Sequence, residues 1–219
     1  MGLSIGVLTE DRYREISRRL RDRDFRPALT KEGNQRRQTW PLRDERITVD
    51  FLIGPTEGAA PGRLQNLEGD FAAFVTPALP LAFVDTITVT IDERTPDGER
   101  AKRNVRVAGP AAFIVLKAHA FRSRGENKDA YDLVYVLLNY GKTPLVEVAD
   151  RFSSIAQAPE ARVALTFLEE DFATDEHVGP KRRAEFLGDR DDPDLRQDAV
   201  GAVQGFLAEV AKLPPGGHI

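Results

Sequence analysis

The spacing of hydrophobic residues changes along the chain near residue 108. Before that point, short apolar runs alternate with polar positions, as in residues 46–53, and a period of two is typical of half-buried strands. After it, apolar residues recur every three or four positions, which predicts helices. Strands followed by a run of helices indicate an α+β fold. We therefore expect an αβ half over residues 1–108, a helical half over residues 109–212 and a flexible tail over residues 213–219.

Capping and turn-forming residues set the expected limits of the individual elements. Thr9 and Pro110 are suited to helix starts, and Gly125 and Gly141 are suited to helix ends. Residues 54–69 are rich in Gly, Pro and Ala, which predicts a loop. The expected strands cover residues 2–7, 25–29, 35–42, 46–53, 86–91 and 104–107, and the expected helices cover residues 9–23, 110–125, 127–141 and, with breaks at Pro159, Gly179-Pro180 and Asp192-Pro193, residues 143–212.

The composition excludes several classes of protein. Of the 219 residues 41% are hydrophobic and 30% are charged, as in ordinary globular proteins rather than disordered ones. No apolar run approaches the roughly 18 residues of a membrane span and no signal peptide is visible, so we expect a cytoplasmic protein without a membrane partner. With no cysteine and three histidines, disulfides and zinc sites built from thiolates or histidines are not expected. Carboxylates would have to hold any metal, and they favour Mg²⁺ or Mn²⁺.

Charge is distributed unevenly along the chain. The net charge of −4 argues against a protein that coats nucleic acid. Residues 9–46 are dense in arginine, whereas residues 169–176 and 189–194 are acidic. The arginine-rich segment predicts either a solvated helix face or a surface directed at phosphates, and the sequence leaves both open.

Asp50 is the first candidate functional residue. It lies in the predicted strand at 46–53, on the face opposite Val49 and Phe51. Strand propensity disfavours a carboxylate at such a position, which therefore requires a reason. Either this face of the strand is open to water, or the carboxylate is a metal ligand or general base directed into a cleft.

A second group of charged residues surrounds the junction between the helices predicted at 110–125 and 127–141. Lys117 has apolar neighbours, so its ammonium must reach out of a core-facing surface or meet an anion. Asp129 and Asp132 share one helix face, and the short link should pack the two helices antiparallel with Lys117 close by. A salt bridge that fixes the helical hairpin and a functional site both explain this arrangement. The group comprises Lys117, Arg122, Arg124, Lys128, Asp129 and Asp132.

Three segments resemble parts of one protein family. LKAHAFRSRGENKDAYDLVYVL, at 116–137, resembles the signature of the AbiEii/AbiGii-type nucleotidyltransferase toxins, in which a lysine helix and a KD-x-x-DL helix follow a β-rich catalytic half. ITVDFLIGP, at 47–55, resembles the strand that carries the third metal-binding carboxylate of that fold, and GVLTEDRYREI, at 6–16, resembles the helix after its second strand. The similarity covers about residues 7–140. It implies a nucleotidyltransferase-like mixed β-sheet with flanking helices, followed by the helical half.

The resemblance also implies roles for individual residues. Asp50 would be a catalytic, metal-binding carboxylate, Lys117 a catalytic lysine that binds phosphate, and Asp129 the helical acidic residue of the catalytic site. The implied reaction transfers a nucleotide from a nucleoside triphosphate to RNA, such as tRNA, or to protein, and Mg²⁺ offsets charge on the triphosphate. A toxin of this kind would also have an antitoxin protein as partner. The residues implied to bind the nucleotide are Lys117, Arg122, Lys128 and Asp132.

The chain departs from the family pattern near its start. A Gly-Gly/Ser turn and an Asp-x-Asp pair are expected before the helix at 9–23, where this sequence has Ser4-Ile5-Gly6-Val7. With two of the three metal carboxylates absent, Mg²⁺ binding is expected to be weak or lost. A start codon assigned too late, a trimmed chain and a degenerate, non-catalytic relative all explain the departure.

Three functions from different classes therefore remain. The first is a Mg²⁺-dependent nucleotidyltransferase, and the second is a binding module that keeps the fold and binds a nucleotide, an RNA or a protein. The third is an interaction scaffold in which Lys117 and Asp129 form a structural salt bridge. We expect Trp40 to pack in the core rather than stack on a base, and His119 to be a structural histidine rather than a general base.

Overall fold

The computed structural model describes residues 2–4, 10–43, 47–55, 60–95 and 98–214. These residues form an α+β fold, which confirms the predicted class. They divide into two compact units, Met1–Pro80 and Leu81–Ile219. Residues 5–9, where the first strand and the Thr9 cap were expected to meet, and 215–219 of the expected tail lie outside the described residues.

A mixed five-stranded sheet forms the centre of the first unit. Strand β5 is its central strand. β1 pairs with one edge of β5 in parallel. The other edge of β5 pairs with β4, which is antiparallel, and with β7, which is parallel. β6 extends the sheet antiparallel to β7, and β2 and β3 form a separate short pair. The elements of this unit are β1 (Gly2–Ser4), α1 (Glu10–Arg21), β2 (Ala28–Leu29), β3 (Gln35–Arg36), β4 (Thr39–Pro41), β5 (Thr48–Ile53), β6 (Leu64–Glu68) and β7 (Phe71–Val75).

An aromatic core lies on one face of this sheet. The inward positions of β5 are buried while Thr48, Asp50 and Leu52 are half-buried, which confirms the predicted alternation. Phe71 packs edge-on at 4.7 Å from the ring of Phe51, and the expected core residue Trp40 is fully buried. Rings of this size each remove about 150–250 Å² from water, so they dominate the stabilisation of this unit.

The prediction of a loop over residues 54–69 is wrong in its second half. Residues 64–68 form β6 and pair with β7, with a register irregularity between Asn66 and Glu68. The side chains of β6 are half-buried or exposed rather than cleanly alternating. A strand of this kind carries little periodic signal, because its backbone pairing with β7, rather than an alternation of its own side chains, holds it in place.

Helices and one hairpin make up the second unit. The predicted helices at 110–125 and 127–141 are confirmed, and Gly125 ends the first of them with the left-handed φ of 64° that glycine adopts without strain. The helical run is interrupted near Pro159, Gly179-Pro180 and Asp192-Pro193 as expected, and each proline lies in the first turn of the helix that follows the break. The elements are α2 (Leu81–Val84), β8 (Thr86–Arg94), β9 (Arg100–Ala108), α3 (Pro110–Arg124), α4 (Asn127–Asn139), α5 (Pro144–Phe152), α6 (Pro159–Asp171), α7 (Val178–Phe186) and α8 (Pro193–Ala211).

Asp85 explains why the β8–β9 hairpin belongs with the helices rather than with the first sheet. Its carboxylate is 2% exposed, accepts the backbone N–H of Ala112 at 2.9 Å and accepts Arg151 Nε at 2.8 Å. The Gly109 N–H donates to the Asp85 carbonyl at 2.7 Å, and a Cβ at Gly109 would collide with the carboxylate. These bonds fasten the base of the hairpin to α3 and α5, so the units divide after Pro80 and not at residue 108.

None of the helices in the described part of the chain is long and apolar enough to cross a membrane.

Candidate functional site

Asp50 lies in the middle of β5, on the face of the sheet opposite the aromatic core. Thr39 of β4 is its direct cross-strand partner, and Thr39 Oγ1 donates to Asp50 Oδ1 at 2.7 Å. Among the described residues no lysine or arginine forms an ion pair with this carboxylate. A carboxylate can accept about four hydrogen bonds, so Asp50 keeps most of its acceptor capacity for a ligand.

We call the face of the sheet opposite the aromatic core the open face, and it carries apolar side chains as well as Asp50. Leu52 is two residues further along β5, and its cross-strand partner is Phe74 of β7, which in turn pairs with Leu64 of β6. Directly paired residues lie on the same face of a sheet. Phe74 is 39% exposed and Leu64 is 48% exposed. The face therefore combines a carboxylate with an accessible aromatic ring.

The carboxylate of Asp50 fits Mg²⁺ only as one ligand among several. Mg²⁺ is commonly bound by one or two protein carboxylates together with substrate phosphates and water. Asp50 supplies one such oxygen ligand, and nothing among its described partners competes for it electrostatically. The site therefore fits an ion that a triphosphate helps to hold, rather than an ion caged by protein alone. In the described residues there is no group of three or more His, Cys, Asp or Glu side chains placed to hold a metal.

The second candidate group lies between α3 and α4 of the second unit. Lys117 Nζ donates to Asp129 Oδ1 at 2.9 Å and to Asp132 Oδ2 at 2.7 Å. Arg124 donates two hydrogen bonds to Asp129, from Nε to Oδ2 at 2.6 Å and from Nη2 to Oδ1 at 2.8 Å. Lys128 Nζ reaches both oxygens of Asp132, at 2.8 and 2.6 Å. We call these five residues the α3–α4 clamp, since three cations on two helices hold two carboxylates.

Burial and ion pairing act against each other in the clamp. Burial alone would raise the pKa of Asp129, whose side chain is 1% exposed, but hydrogen bonds from Arg124 and Lys117 hold that pKa below its ordinary value of 3.8. Burial likewise opposes ionisation of Asp132, and Lys117 and Lys128 keep its pKa low. Both carboxylates are therefore anions at neutral pH, and their charge is already neutralised within the protein.

Arg122 does not join the clamp. It pairs with Glu170 at 2.5 Å and with Asp171 at 3.3 Å, both on α6, and its guanidinium lies 4.6 Å from the Phe167 ring centre. Burial raises the pKa of Asp171, against the opposing pull of Arg122. The structure thus brings Lys117, Lys128, Asp129 and Asp132 together and directs Arg122 to another helix, while Asp50 belongs to the first unit.

No family model matches the chain, and neither a curated protein nor a solved structure matches it. The function has to be argued from the open face of the first unit and from the charged groups of the second.

The arginines of α1 favour the interpretation of a solvated helix face. Arg12 pairs with Glu15 at 3.2 Å, and Arg18 pairs with Asp22 at 3.1 Å. Arg19 also pairs with Glu15, at 2.5 Å. Exposed pairs at this spacing stabilise a helix by about 0.2–0.5 kcal/mol each. These three arginines are therefore paired with carboxylates on the helix or directly after it.

Sequence reasoning missed several residues of these groups. Strand register places Thr39, Leu64 and Phe74 on the face of Asp50, and of these only Leu64 belongs to the strand inside the expected loop. His119, in contrast, is the structural histidine that was expected, because its Nε2 lies 2.9 Å from the Glu160 carbonyl. Helical geometry could have separated Arg122 from the clamp. Five residues at 100° per residue place it about 140° around α3 from Lys117, whereas Arg124, seven residues on, returns to within about 20°.

Proposed function

We propose that this protein binds a nucleoside triphosphate on the open face of its first sheet and transfers a nucleotide from it to an acceptor. Asp50 would hold Mg²⁺ against the triphosphate. One observation carries the proposal: the carboxylate of Asp50, in the central strand, has a neutral hydroxyl as its hydrogen-bond partner and no ion-pair partner among the described residues.

A half-buried carboxylate without a cationic partner loses part of its hydration and gains little in return, so it is a costly choice for a purely structural position. A divalent cation would compensate the negative charge of Asp50. Mg²⁺ held there would offset negative charge on a triphosphate, and Asp50 and Thr39 would fix where that charge lies.

The apolar part of the face suits the base of the nucleotide. Phe74 and Leu52 lie beside Asp50 through strand register, and two residues along a strand span about 6.8 Å. Stacking of a base on an aromatic side chain contributes about 1–3 kcal/mol and tolerates every base. The same face therefore offers an anion for the metal–phosphate end of the ligand and a ring for the other end.

The acceptor and the biological role follow from the resemblance alone. It indicates RNA, such as tRNA, or a protein as acceptor, and a toxin role with an antitoxin partner. These substrates are cytoplasmic molecules, so the proposed reaction belongs in the cytoplasm. Lys117 as a phosphate-binding lysine and Asp129 as a catalytic residue stay predictions, because both have their charges satisfied inside the clamp.

A non-catalytic binding module is the second candidate. It is favoured by the lack of any metal-holding group of three or more side chains within the described ranges. Such a protein would still bind a nucleotide on the face that carries Asp50 and Phe74, but it would not transfer it.

Calorimetric titration with each nucleoside triphosphate, with and without Mg²⁺, tests the proposal without assuming an acceptor. We expect Mg²⁺-dependent binding that Asp50→Asn weakens at least about tenfold, the equivalent of one lost charge-assisted contact. Phe74→Ala should weaken binding to a similar extent whether or not Mg²⁺ is present, because it removes the stacking surface.

Asp24→Asn is the matched control, since Asp24 is an exposed carboxylate of the same unit, and its φ of 63° is one that asparagine tolerates. Failure of all four triphosphates to bind, or equal losses in Asp50→Asn and Asp24→Asn, would overturn the proposal. Mg²⁺-dependent binding without transfer of a labelled nucleotide to RNA or protein would select the binding module.

A further inference from the structure

The β8–β9 hairpin is a two-stranded ribbon with two chemically different faces. Its register is regular along nine residue pairs, so each residue can be assigned to a face. One face carries exposed aliphatic side chains, among them Val89 paired with Val105, each more than a third exposed. The opposite face is polar and also exposed. We call this second surface the polar ribbon face, and it comprises Thr88, Thr90, Asp92, Arg94, Arg100, Lys102, Asn104 and Arg106.

Positive charge dominates the polar ribbon face, which carries four cations and one carboxylate. The carboxylate is Asp92, and Arg100 occupies both of its oxygens, at 2.8 and 3.0 Å. Lys102 lies directly across the ladder from Asp92 but makes no ion pair with it. Within the described residues neither Lys102 nor Arg106 has an ion pair or a side-chain hydrogen bond. Lys102 and Arg106 are therefore two exposed cations without a counter-charge in the described part of the chain.

This condition sets the ribbon apart from the arginine-rich helix α1. There, Arg12 is bound to Glu15 of the same helix, and Arg18 is bound to Asp22, which directly follows the helix. A phosphate would have to compete with those carboxylates, but it would meet no competitor at Lys102 and Arg106. In a chain with a net charge of −4, the polar ribbon face is therefore a local region of unbalanced positive charge.

Neutral hydrogen-bonding groups lie between the cations. Asn104 lies midway between Lys102 and Arg106 on β9. Thr90 Oγ1 donates to its Oδ1 at 2.9 Å, and its amide N–H groups have no hydrogen-bond acceptor among the described residues. Alternate residues on a strand are about 6.8 Å apart, so cation, amide and cation follow one another in a row about 14 Å long. Contacts to phosphate and sugar oxygens in nucleic acids come from these kinds of side chain.

We infer that the polar ribbon face binds the phosphate backbone of RNA, which is one of the acceptors named for the proposed reaction. As an assignment of the acceptor, the inference rests on the proposed function. The amide and hydroxyl groups between the cations suit the 2′-hydroxyl groups of RNA, which both donate and accept hydrogen bonds. A backbone-binding surface of this kind positions RNA without reading its sequence.

Fluorescence anisotropy with a labelled RNA hairpin that has a short single-stranded 3′ end tests the inference on the full chain. The test variant is the double substitution Lys102→Gln/Arg106→Gln. We expect it to weaken RNA binding about tenfold or more at ~100 mM salt and to reduce the slope of log affinity against log salt by roughly 1.4–1.8, the effect of two lost phosphate contacts. The charge-conserving exchange Lys102→Arg/Arg106→Lys should leave both quantities at their wild-type values, which would assign the loss in the test variant to the missing charges.

Arg162→Gln/Lys212→Gln is the matched control, because it removes the same charge from exposed, hydrogen-bonded positions on α6 and after α8. Equal losses in the two double variants, or tighter binding to the DNA hairpin of the same sequence, would overturn the inference. Triphosphate binding separates the two proposals. If the wild-type protein binds triphosphate but not RNA, the inference alone is overturned. If it binds RNA but no triphosphate, the proposed function is overturned.

Discussion

Asp50 and Asp129 are both carboxylates on regular elements near apolar cores, but their surroundings differ. Asp50 accepts one hydrogen bond, from the neutral Thr39 hydroxyl. Asp129 accepts three, all from the cations Lys117 and Arg124. Asp50 therefore has charge to offer to a ligand, whereas the charge of Asp129 is used inside the protein.

The comparison shows why a charged cluster is weak evidence for an active site. Removing one partner from a buried ion pair leaves an uncompensated charge and destabilises the fold. Such a pair therefore has a structural role even when it has no other function. A carboxylate with unused acceptor capacity is the more informative observation. On this argument the α3–α4 clamp fixes the helical hairpin, and the open face at Asp50 is where a ligand would bind.

The largest expected effect is on stability at Asp129. Asp129→Ala leaves Lys117, whose side chain is 18% exposed, without its more buried partner. We expect the free energy of unfolding to fall by about 3 kcal/mol, the lower end of the range for a broken buried pair, because Arg124 is 58% exposed and can be rehydrated. Urea denaturation followed by circular dichroism measures this change.

Lys117→Met refines that result, because it keeps the length of the side chain and leaves Asp129 bound to Arg124. A smaller loss of stability with unchanged triphosphate affinity agrees with a structural clamp. Unchanged stability with lower triphosphate affinity would break the comparison and make Lys117 the phosphate-binding lysine.

The pH dependence of stability gives the next effect in size. The pKa of Asp129 is lower in the folded state than in the unfolded state. The contribution of Asp129 to the free energy of unfolding is therefore fully present above the unfolded pKa of about 3.9, and it is lost as the pH falls through the lower folded pKa. The stability difference between wild type and Asp129→Asn should therefore be constant near neutrality and shrink below about pH 4, by at most ~1.4 kcal/mol per pH unit. A difference that stays constant down to pH 3 would contradict the electrostatic account of the clamp.

The smallest effect is expected at Asp50. Asp50→Asn should change the free energy of unfolding by less than about 1 kcal/mol, because asparagine can still accept the Thr39 bond and no ion pair is lost. Thermal unfolding with and without Mg²⁺ and triphosphate provides the measurement, and only the ligand-induced stabilisation should disappear. A loss above about 2 kcal/mol in the absence of ligand would show that Asp50 is structural, like Asp129.

The parts of the fold that could be predicted are those with a local signal. The alternation of β5 and the two helices joined at Gly125 were predictable, since strand period, helix period and a left-handed cap are properties of neighbouring residues. The approach of Lys117 to Asp129 and Asp132 followed from the same local geometry, because a short link makes the two helices neighbours.

The parts that could not be predicted depend on pairing partners that no periodic pattern reveals. β6 lacks a clean alternation and is held by its pairing with β7, and Phe74 lies on the face of Asp50 because β7 pairs with β5. Asp85 has no periodic signature, and its partner Arg151 is 66 residues away. Strands at 86–91 and 104–107 were predicted, but the pairing of Arg100 with Asp92, which leaves Lys102 without an ion pair among the described residues, required the structure.

Asp85 also has a consequence for the order in which the second unit assembles. The α3–α4 clamp joins residues at most 15 positions apart, whereas the bond between Asp85 and Arg151 closes a loop of 66 residues. Loop-closure entropy grows with the logarithm of length, which makes the longer closure about 1.3 kcal/mol less favourable. We expect the helical hairpin to form early in folding and the base of the ribbon to dock late. In pulse-labelled hydrogen exchange during refolding, the amides of α3 and α4 would then gain protection before the Gly109 and Ala112 amides that bond to Asp85.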